Sequence, residues 1–594
     1  MRGWTGKALC VDLTEGTVEL RALDEALLRD YLGGRGLGVR LVVERGPGID
    51  PLSPDNPLVF ATGPLTATPV PTAGRFCLVS RSPLTGTVFD CNSGGRFGVQ
   101  LKRSGVDALV VTGRASSPAY ISVTEEGAEI KDASSLWGKE VPEASRELEE
   151  REGRGASVAC IGPAGERGAL LAGVMNDVHR AAARGGLGAV MGSKRLKAVV
   201  ARGGEAVGVA DPDRLRYVIK ESYRWIKANP VTSQGLPLYG TAILVNLLNE
   251  LGAFPSHNFR HSSFPGAEEI SGEALAEALL VKRKACWGCP IGCARVTRAG
   301  DEAGEGPEYE SLWALGAQCG VGDLEAVARA NYLCNRVGLD TISTGSTIGC
   351  AMELRERGLL PGGPLFGRAE DMLESVRALS EGKGLGEELG RGSLRLAASR
   401  GAPELAMQVK GLELPAYDPR GLQGQGLSFA TSNRGGCHLR AYLVGPEVLG
   451  IPKLVDRFST RDKPGLTIFY QHINAAVDSL VLCRFLQFSV SDDHLARFLS
   501  ATTGVTYKAA DLHRIGERIW NLERSFNLAC GVEASADTLP PRLLEEPVEE
   551  GPARGRVVML EEMLPLYYRA RGWTEEGVPG VSKLGELGVP RFAM

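Results

Sequence analysis

The sequence predicts an α+β protein in which a β-rich N-terminal domain precedes two mainly α-helical domains. Three observations support this fold class: short apolar–polar alternations separated by glycine up to about residue 205, helical periodicity beyond it, and a break rich in proline and glycine at residues 412–421. The chain of 594 residues is long enough for roughly three or four domains of about 150 residues each. We therefore expect domains at residues 1–208, 209–415 and 416–594.

The N-terminal domain begins with a predicted β-hairpin. The segment KALCVDLTEGTVELRAL alternates apolar and polar residues on both sides of Thr14-Glu15-Gly16, which is typical of two strands joined by a tight turn. Further strands are predicted at the short apolar runs LVFATG, FCLVSRS, ALVVTG and AYISV.

Helices are predicted to dominate after residue 208. The segment DPDRLRYVIKESYRWIKANP has helical periodicity, with Asp211 placed to cap its N-terminus and Pro212 near its first turn. The segments GDLEAVARANYLCNRVG and DLHRIGERIWNLERSFNLACG have the same periodicity. The prolines and the glycine of LELPAYDPRG interrupt the helical pattern and predict the boundary between the two helical domains.

Composition excludes several classes of protein. Apolar residues make up 43% of the chain and charged residues 23%, and the formal net charge of −4 gives no general attraction to nucleic acid or to an anionic membrane. No apolar stretch reaches the ~18 residues that a membrane helix needs, and the N-terminus lacks the apolar core of a secretion signal. The 13 cysteines, an odd number, do not form a disulfide pattern. We therefore expect a cytoplasmic protein.

Three cysteines lie within one short segment, KACWGCPIGCARV. Cys286, Cys289 and Cys293 form a C-x2-C-x3-C motif, and no histidine follows before His438. Structural zinc sites usually combine two C-x2-C pairs, or one pair with two nearby histidines, whereas iron–sulfur clusters use cysteine thiolates, normally four. The spacing therefore favours a 4Fe–4S cluster with a distant fourth cysteine over zinc or three unrelated buried thiols. The later cysteines that are candidates for this ligand are Cys319, Cys334, Cys350, Cys437, Cys483 and Cys530.

Glycine is over-represented, with 77 residues where average usage of about 7% gives about 42. Many glycines occur with arginine in three clusters, GGRGLG (33–38), NSGGRFG (92–98) and RAAARGGLGAVMGSK (180–194). Glycine lets backbone amides approach an anion closely, and arginine can bind phosphate through two hydrogen bonds. The third cluster is one residue short of a P-loop, and no G-x-G-x-x-G opens a helix. The clusters are therefore either loops around a phosphorylated cofactor or ordinary tight turns.

Several motifs together resemble one known family. The cysteine triplet is followed by GPEYES (306–311), CNRVGLDTIS (334–343), RGGCHLRAY (434–442) and AAVDSLVLCRF (475–485), and it is preceded by RAAARGGLGAVMGSKRLKAV (180–199). These motifs are similar to those of the tungsten-containing aldehyde:ferredoxin oxidoreductases, and the resemblance extends from about residue 5 to about residue 590. It implies tungsten, with molybdenum as the alternative, held by two pterin dithiolenes without a protein ligand. It also implies a 4Fe–4S cluster beside one pterin and magnesium between the two pterin phosphates.

The resemblance further implies which cysteine completes the cluster. The family motif D-x-x-G-L-C is similar to residues 478–483, so that Cys483 would be the fourth ligand. Its twin, D-x-x-G-L-D, is similar to residues 335–340 and would hold the other pterin. Two positions depart from the family pattern, because Val481 replaces a glycine and Asn335 replaces an aspartate.

The resemblance implies that the glycine–arginine loops of the N-terminal domain form a saddle against the anionic cofactor. Arg75 would bridge the cluster and a pterin. Asn92 would help to hold magnesium, together with a backbone carbonyl of residues 181–183, for which we favour Ala181. The implied cofactor-binding residues are Arg75, Asn92, Gly94, Gly95, Arg180, Ala181, Ala183, Arg184, Asn335, Gly338, Leu339, Asp340, Asp478 and Leu482.

The resemblance assigns the chemistry of aldehyde oxidation to two side chains. Glu310 would act as the general base towards water or an aldehyde hydrate, and His438 would donate a hydrogen bond to the substrate oxygen. Electrons would pass to the cluster and then to ferredoxin or a ferredoxin-like partner subunit. None of the 7 histidines follows a glutamate by three positions, so the iron-bridged homodimer of some family members is not expected. Other homo- or hetero-oligomers stay open.

Two alternatives stay open at this point. One is the tungsten subunit of a benzoyl-CoA reductase-type ring reductase, although the presence of both Glu310 and His438 favours the aldehyde enzyme. The other is a non-catalytic iron–sulfur or zinc scaffold protein that binds a partner.

Overall fold

In the computed structural model, which describes residues 1–592, the N-terminal region consists of two β-sheets with interspersed helices. Its strands are β1 (Lys7–Asp12), β2 (Thr17–Ala22), β3 (Leu58–Ala61), β4 (Phe76–Arg81), β5 (Val88–Ser93), β6 (Ala108–Thr112), β7 (Ala119–Thr124), β8 (Gly127–Asp132), β9 (Ser157–Cys160), β10 (Val174–Asn176), β11 (Arg180–Ala182) and β12 (Leu196–Ala201). Its helices are α1 (Glu25–Tyr31), α2 (Gly34–Val43), α3 (Phe97–Arg103), α4 (Val141–Glu152), α5 (Pro163–Glu166) and α6 (Leu187–Ser193). The sheets have the strand orders β2-β1-β6-β3-β4-β5 and β11-β10-β9-β12-β7-β8.

The predicted N-terminal hairpin is confirmed. β1 and β2 pair in antiparallel orientation from Lys7 opposite Ala22 to Asp12 opposite Thr17. The four apolar runs predicted as strands are β3, β4, β6 and β7. β1 is also parallel to β6, and β12 is parallel to β7, so that both sheets are mixed.

After residue 208 the chain is mainly helical, as predicted. The helices are α7 (Pro212–Ala228), α8 (Leu236–Tyr239), α9 (Leu244–Glu250), α10 (Gly272–Ala278), α11 (Tyr309–Leu315), α12 (Leu324–Val337), α13 (Thr341–Glu356), α14 (Ala369–Glu381), α15 (Leu385–Leu389), α16 (Ser393–Ser399), α17 (Gln423–Thr431), α18 (Lys463–Leu480), α19 (Asp492–Thr503), α20 (Ala509–Ala529), α21 (Pro541–Glu545), α22 (Leu560–Arg571) and α23 (Val581–Leu587). Asp211 caps α7 as predicted, because its side chain accepts a hydrogen bond from the amide of Arg214. Among residues 1–592, we find no helix with the length and apolar character needed to cross a membrane. The predicted fold class is confirmed, whereas the domain boundaries at 208 and 415 stay predictions.

A small sheet within the helical part was not predicted. Its strands are β13 (Leu280–Lys284), β14 (Ala294–Ala299) and β15 (Glu302–Glu305), which pair in antiparallel order; a two-stranded pair, β16 (Gln408–Val409) and β17 (Leu412–Glu413), lies further on. The loop between β13 and β14 contains all three cysteines of the triplet. The sequence LVKRK of β13 lacks the apolar alternation of a half-buried strand, because this outer strand is mostly exposed.

A hydrophobic core joins the N-terminal sheets to the C-terminal helices. α2 packs against β4 on one side and against α18 and α20 on the other. Buried residues of these elements form one cluster, which includes Leu37, Val79, Val477 and Ile519. The C-terminal end of α18 is thereby held against the N-terminal region.

Candidate active site

A cavity of about 560 Å³ lies where the N-terminal sheets meet the helices, and its size is within the range of cofactor and small-molecule sites. Its walls come from the segments around β4, β5 and β11, from the β13–β14 loop, from α11 and the start of α13, and from the end of α18. Every predicted site residue except Gly95 and Gly338 lines this cavity. The fold therefore brings together residues that are distributed over most of the chain.

All four predicted cluster ligands lie in the cavity wall. Thr72 connects the segment of Cys483 to the loop of the triplet. Its side-chain oxygen accepts a hydrogen bond from the amide of Cys483 at 3.2 Å, and its own amide donates to the carbonyl of Gly288 at 3.3 Å. The other candidate cysteines do not line the cavity: Cys319, Cys334, Cys350 and Cys437 are buried elsewhere, and Cys530 is partly exposed.

The second glycine–arginine cluster and Gly74, which lies before it in the chain, approach the cysteine loop so closely that side chains on these glycines would not fit. A Cβ atom on Gly94 would lie 2.7 Å from Sγ of Cys286, and one on Gly74 would lie 2.6 Å from the carbonyl oxygen of Trp287. The carbonyl of Gly95 accepts a hydrogen bond from the amide of Trp287 at 3.2 Å. Gly95 therefore supports the cysteine loop although it lies outside the cavity wall.

The four thiols influence one another electrostatically. Burial and the neighbouring thiol of Cys483 raise the pKa of Cys289 to about 11, and burial raises the pKa of Cys483 while Arg75 opposes the shift. Within residues 1–592, no three His, Cys, Asp or Glu side chains converge closely enough to hold one metal ion. Four thiols that line one cavity match the number of cysteine ligands that an iron–sulfur cluster normally has.

The two motifs that the sequence predicts as twins have the same backbone structure. α12 and α18 are each followed by a left-handed residue, Gly338 at φ 79° and ψ 46°, and Val481 at φ 61° and ψ 41°. The amide of the next leucine then donates to the carbonyl five residues earlier, at 2.9 Å after α12 and at 3.3 Å after α18. These hydrogen bonds are typical of Schellman-type helix ends. After each of them the motif's last side chain, Asp340 or Cys483, lines the cavity.

Asp478 belongs to a buried network of charges that the sequence analysis missed. Its Oδ2 atom lies 2.9 Å from Arg484, 3.3 Å from Arg35 and 3.4 Å from Arg440. Arg35 also donates two hydrogen bonds of 2.7 Å to Glu523. Arg35 belongs to the first glycine–arginine cluster, none of which lines the cavity. This cluster therefore supports Asp478 from behind the cavity wall.

Arginine side chains make one wall of the cavity suitable for an anion. Those that line it are Arg75, Arg180, Arg184, Arg434 and Arg484. Buried nitrogens of Arg75 (Nε), Arg434 (Nε) and Arg484 (Nη1) have no hydrogen-bond partner among the described residues, and neither has Oδ1 of Asn92. Buried polar atoms are normally paired, so the guanidinium N–H groups indicate an anionic ligand that accepts their hydrogen bonds, whereas Oδ1 of Asn92 can only accept a hydrogen bond or bind a cation. Of these residues, Arg434 and Arg484 were not predicted, although both lie inside the motifs that carry the family resemblance.

Glu310 and His438 face each other in the cavity, with Oε1 and Nδ1 separated by 3.6 Å. The other oxygen of Glu310 accepts a hydrogen bond of 2.9 Å from the amide of Ala416, whereas Oε1 has no partner among the described residues. Burial raises the pKa of Glu310 to about 8. Burial and the charges of Arg184 and Arg434 hold the pKa of His438 well below its ordinary value. At neutral pH the pair therefore consists of a mostly protonated carboxyl group and a neutral imidazole.

Beyond this pair the cavity wall is largely apolar and aromatic. The rings of Tyr417 and Tyr442 lie 5.6 Å and 6.2 Å from the ring of His438. Further apolar lining residues are Val231, Leu236, Ile243, Leu244, Leu449, Ile451, Phe485 and Phe488. An apolar lining of this kind suits an uncharged organic substrate.

Comparison with known proteins matches almost the whole chain to one family. Residues 8–203 match the model of the aldehyde ferredoxin oxidoreductase N-terminal domain, and residues 217–589 match that of domains 2 and 3. The tungsten-containing aldehyde ferredoxin oxidoreductases of Pyrococcus furiosus and Pyrococcus abyssi are each 47% identical to this chain, over 100% of both proteins. Among solved structures, the active-site complex BamBC of benzoyl-coenzyme A reductase with 1,5-dienoyl-CoA has a similar fold. Its TM-score is 0.85, with 23% identity over 99% of this chain and 97% of that chain.

Proposed function

The chain belongs to the aldehyde ferredoxin oxidoreductase family, and on that premise we propose that it oxidises aldehydes to carboxylic acids and passes the electrons to a ferredoxin. Water supplies the added oxygen atom, and each turnover releases two electrons and two protons. One observation carries the proposal: a chain similar over its full length to aldehyde enzymes has Glu310 and His438 facing each other in a cavity lined by four cysteines.

The proposed cofactors are tungsten, or molybdenum, bound by two pterins, a 4Fe–4S cluster and magnesium. When bound, the pterin-held metal would supply the redox chemistry that removes the electron pair from the aldehyde. The unpaired guanidinium nitrogens in the cavity wall support an anionic cofactor of this kind. Asn335, Leu339 and Asp340 would contact one pterin, while Asp478 and Leu482 would contact the other.

The same wall supports the remaining parts of the cofactor. The partnerless Oδ1 atom of Asn92 and the backbone carbonyl of Ala181 are oxygen donors, which magnesium prefers. Arg180, Ala183 and Arg184 line the cavity beside Ala181 and would bind the phosphates, and Gly94 would let them approach the backbone. Arg75 donates a hydrogen bond of 3.1 Å to the carbonyl of Asn92 and acts electrostatically on Cys483. It would therefore connect the pterin and the cluster.

Glu310 would be the general base and His438 the hydrogen-bond donor. The hydrogen bond from Ala416 orients the carboxylate, and the free Oε1 atom can take a proton from water or from an aldehyde hydrate. The neutral imidazole has one N–H group, which would stabilise negative charge that develops on the aldehyde oxygen. Because the pKa of Glu310 is raised to about 8, the basic form increases as the pH rises through that value.

An isosteric variant tests these roles. Glu310→Gln should retain tungsten and iron but lower turnover of benzaldehyde with a viologen dye by about 10²–10⁴-fold, the usual contribution of a general base. Glu277→Gln, the same change at an exposed position on α10, should be normal. Wild-type kcat/KM should rise with pH up to about 8, as Glu310 loses its proton. The pH profile should show no inflection from His438 near neutral pH, because the pKa of this imidazole lies well below its ordinary value. Near-normal turnover of Glu310→Gln would exclude Glu310 as the base.

The two alternatives give different results with the purified protein. A ring reductase should act on a cyclic dienoyl-CoA and not on benzaldehyde; the solved relative of that kind shares only 23% identity with this chain. A scaffold protein should contain zinc, or iron alone, without tungsten or molybdenum. Elemental analysis of the native protein also decides between tungsten and molybdenum.

A further inference from the structure

Three consecutive positive side chains occupy the surface beside the cysteine loop. β13 is the outer strand of its sheet, and Lys282, Arg283 and Lys284 follow one another along it in exposed positions. Lys284 pairs with Glu305 at 2.7 Å, whereas Lys282 and Arg283 have no carboxylate partner within residues 1–592. Two positive side chains of this strand therefore make no ion pair within the described residues, although α10, which packs against β13, carries the exposed Glu273 and Glu277.

The same surface is the outer side of the cysteine loop. The loop continues directly from β13, its residues Ala285 and Gly288 are exposed, and its three cysteines are partly exposed. A Cβ atom on Gly288 would meet no atom within 4 Å, so the space outside the loop is open. Val281 is 50% exposed, and the ring of Trp287 lies under the guanidinium of Arg103 at 5.6 Å. The loop that carries the three thiols towards the cavity therefore has an open outer side next to basic and apolar residues.

We infer that Val281, Lys282, Arg283 and Trp287, the β13 patch, form the docking site for an acidic ferredoxin. The inference rests on the proposed function, which supplies an electron carrier as the partner. Exposed positive side chains attract and orient a carrier with carboxylates around its cluster. Electron-transfer complexes are small and transient, so two positive and two apolar side chains suffice for binding of this kind. In each encounter one electron passes from the reduced cluster of the enzyme to the oxidised carrier, and no bond is made or broken.

A charge reversal tests the β13 patch. Lys282→Glu/Arg283→Glu should raise the KM for a purified acidic 4Fe–4S ferredoxin at least about tenfold at low salt, and less at high salt, where ions screen the attraction. Bleaching of the enzyme's own cluster by aldehyde, measured without ferredoxin, should keep its wild-type rate. Arg554→Glu/Arg569→Glu, the same charge change at exposed arginines outside the patch, should leave the KM within twofold of wild type.

The outcomes separate the docking site from the proposed function. An unchanged KM in the β13 variant, or an equal increase in the control variant, would overturn the docking site. If aldehyde does not bleach the cluster of the wild-type enzyme, the proposed function fails instead. In that case oxidised ferredoxin is titrated onto the wild-type enzyme, the β13 variant and the control variant. Weaker binding only by the β13 variant supports the docking site, and equal binding by all three overturns it.

Discussion

The ends of α12 and α18 have the same backbone but present different chemistry. Each helix is followed by a left-handed residue and a leucine, and each end packs against glycines of the N-terminal region. After α12 comes Asp340, whose carboxylate accepts hydrogen bonds from the amides of Ile342 and Ser343 and so caps α13. After α18 comes Cys483, whose thiol lines the cavity beside the triplet.

The two ends show that the shared backbone conformation fixes where the last side chain of the motif lies. The identity of that side chain then determines its chemistry. Neighbouring amides already satisfy the carboxylate of Asp340. In contrast, Asp478 depends on three arginines from distant parts of the chain. We therefore expect loss of Cys483 to affect mainly the proposed cluster, and loss of Asp340 to weaken the cap of α13 as well as the proposed pterin contact.

The largest effect is expected from the residues that follow the two leucines. Cys483→Ala should lose cluster iron and lower electron transfer to ferredoxin by more than the roughly 10–100-fold that follows loss of a partner outside the ligand shell. Asp340→Ala should keep its iron and lose about 1 kcal/mol of stability, the usual cost of a missing cap. Iron content and the EPR signal of the reduced cluster report the result. Equal iron loss in both variants would show that Cys483 and Asp340 do not differ in their effect on the cluster. Cys530→Ala, which changes a cysteine outside the cavity wall, is the control.

The left-handed residues give the next largest effect. A Cβ atom on Gly338 would lie 2.8 Å from the amide nitrogen of Gly162. Gly338→Val combines this overlap, about 1–3 kcal/mol, with the strain of a left-handed side chain, about 1–2 kcal/mol. We expect about 3 kcal/mol of destabilisation in denaturant unfolding. A variant as stable as wild type would show that Gly338 is not needed for packing.

The first residues of the two motifs should differ by a smaller amount. Asp478→Asn removes the negative charge shared by three buried arginines, so we expect about 2 kcal/mol of destabilisation, the scale of a charged hydrogen bond. The mirror change, Asn335→Asp, affects a partly exposed side chain and should stay within about 0.5 kcal/mol. Thermal unfolding of both variants measures the two changes in stability. Equal changes in melting temperature would show that the two positions do not differ.

The smallest effect concerns Val481, the departure from the family motif. Its side chain fits because it packs on glycines: a Cβ atom on Gly34 would lie 2.5 Å from Cγ2 of Val481, and one on Gly63 would lie 2.8 Å away. Val481→Ala and Val481→Gly both lose this packing, but only alanine keeps the left-handed strain. We expect the glycine variant to be about 0.5–1 kcal/mol more stable than the alanine variant, after subtraction of its greater freedom in the unfolded state. Equal denaturation midpoints would show that the strain is negligible.

Local patterns predicted the parts of the structure that depend on neighbouring residues. The N-terminal hairpin, the Asp211 cap and the close spacing of the triplet are of this kind. The spacing alone left six candidates for the fourth ligand, and only the family motif singled out Cys483, whose ligand role stays a prediction. The network around Asp478 could not be predicted, because Arg35 is 443 residues from Asp478 and 488 from Glu523. Each of these residues alone looks like an ordinary surface charge.

The hydrogen bonds of Thr72 have a consequence for biosynthesis. They tie a loop near residue 288 to a segment near residue 483, and the ribosome makes the second roughly 10–40 s after the first at about 5–20 residues per second. The nascent chain thus exposes three thiols well before their partner exists. If Cys483 completes the cluster as proposed, cluster assembly would therefore follow translation of this last segment.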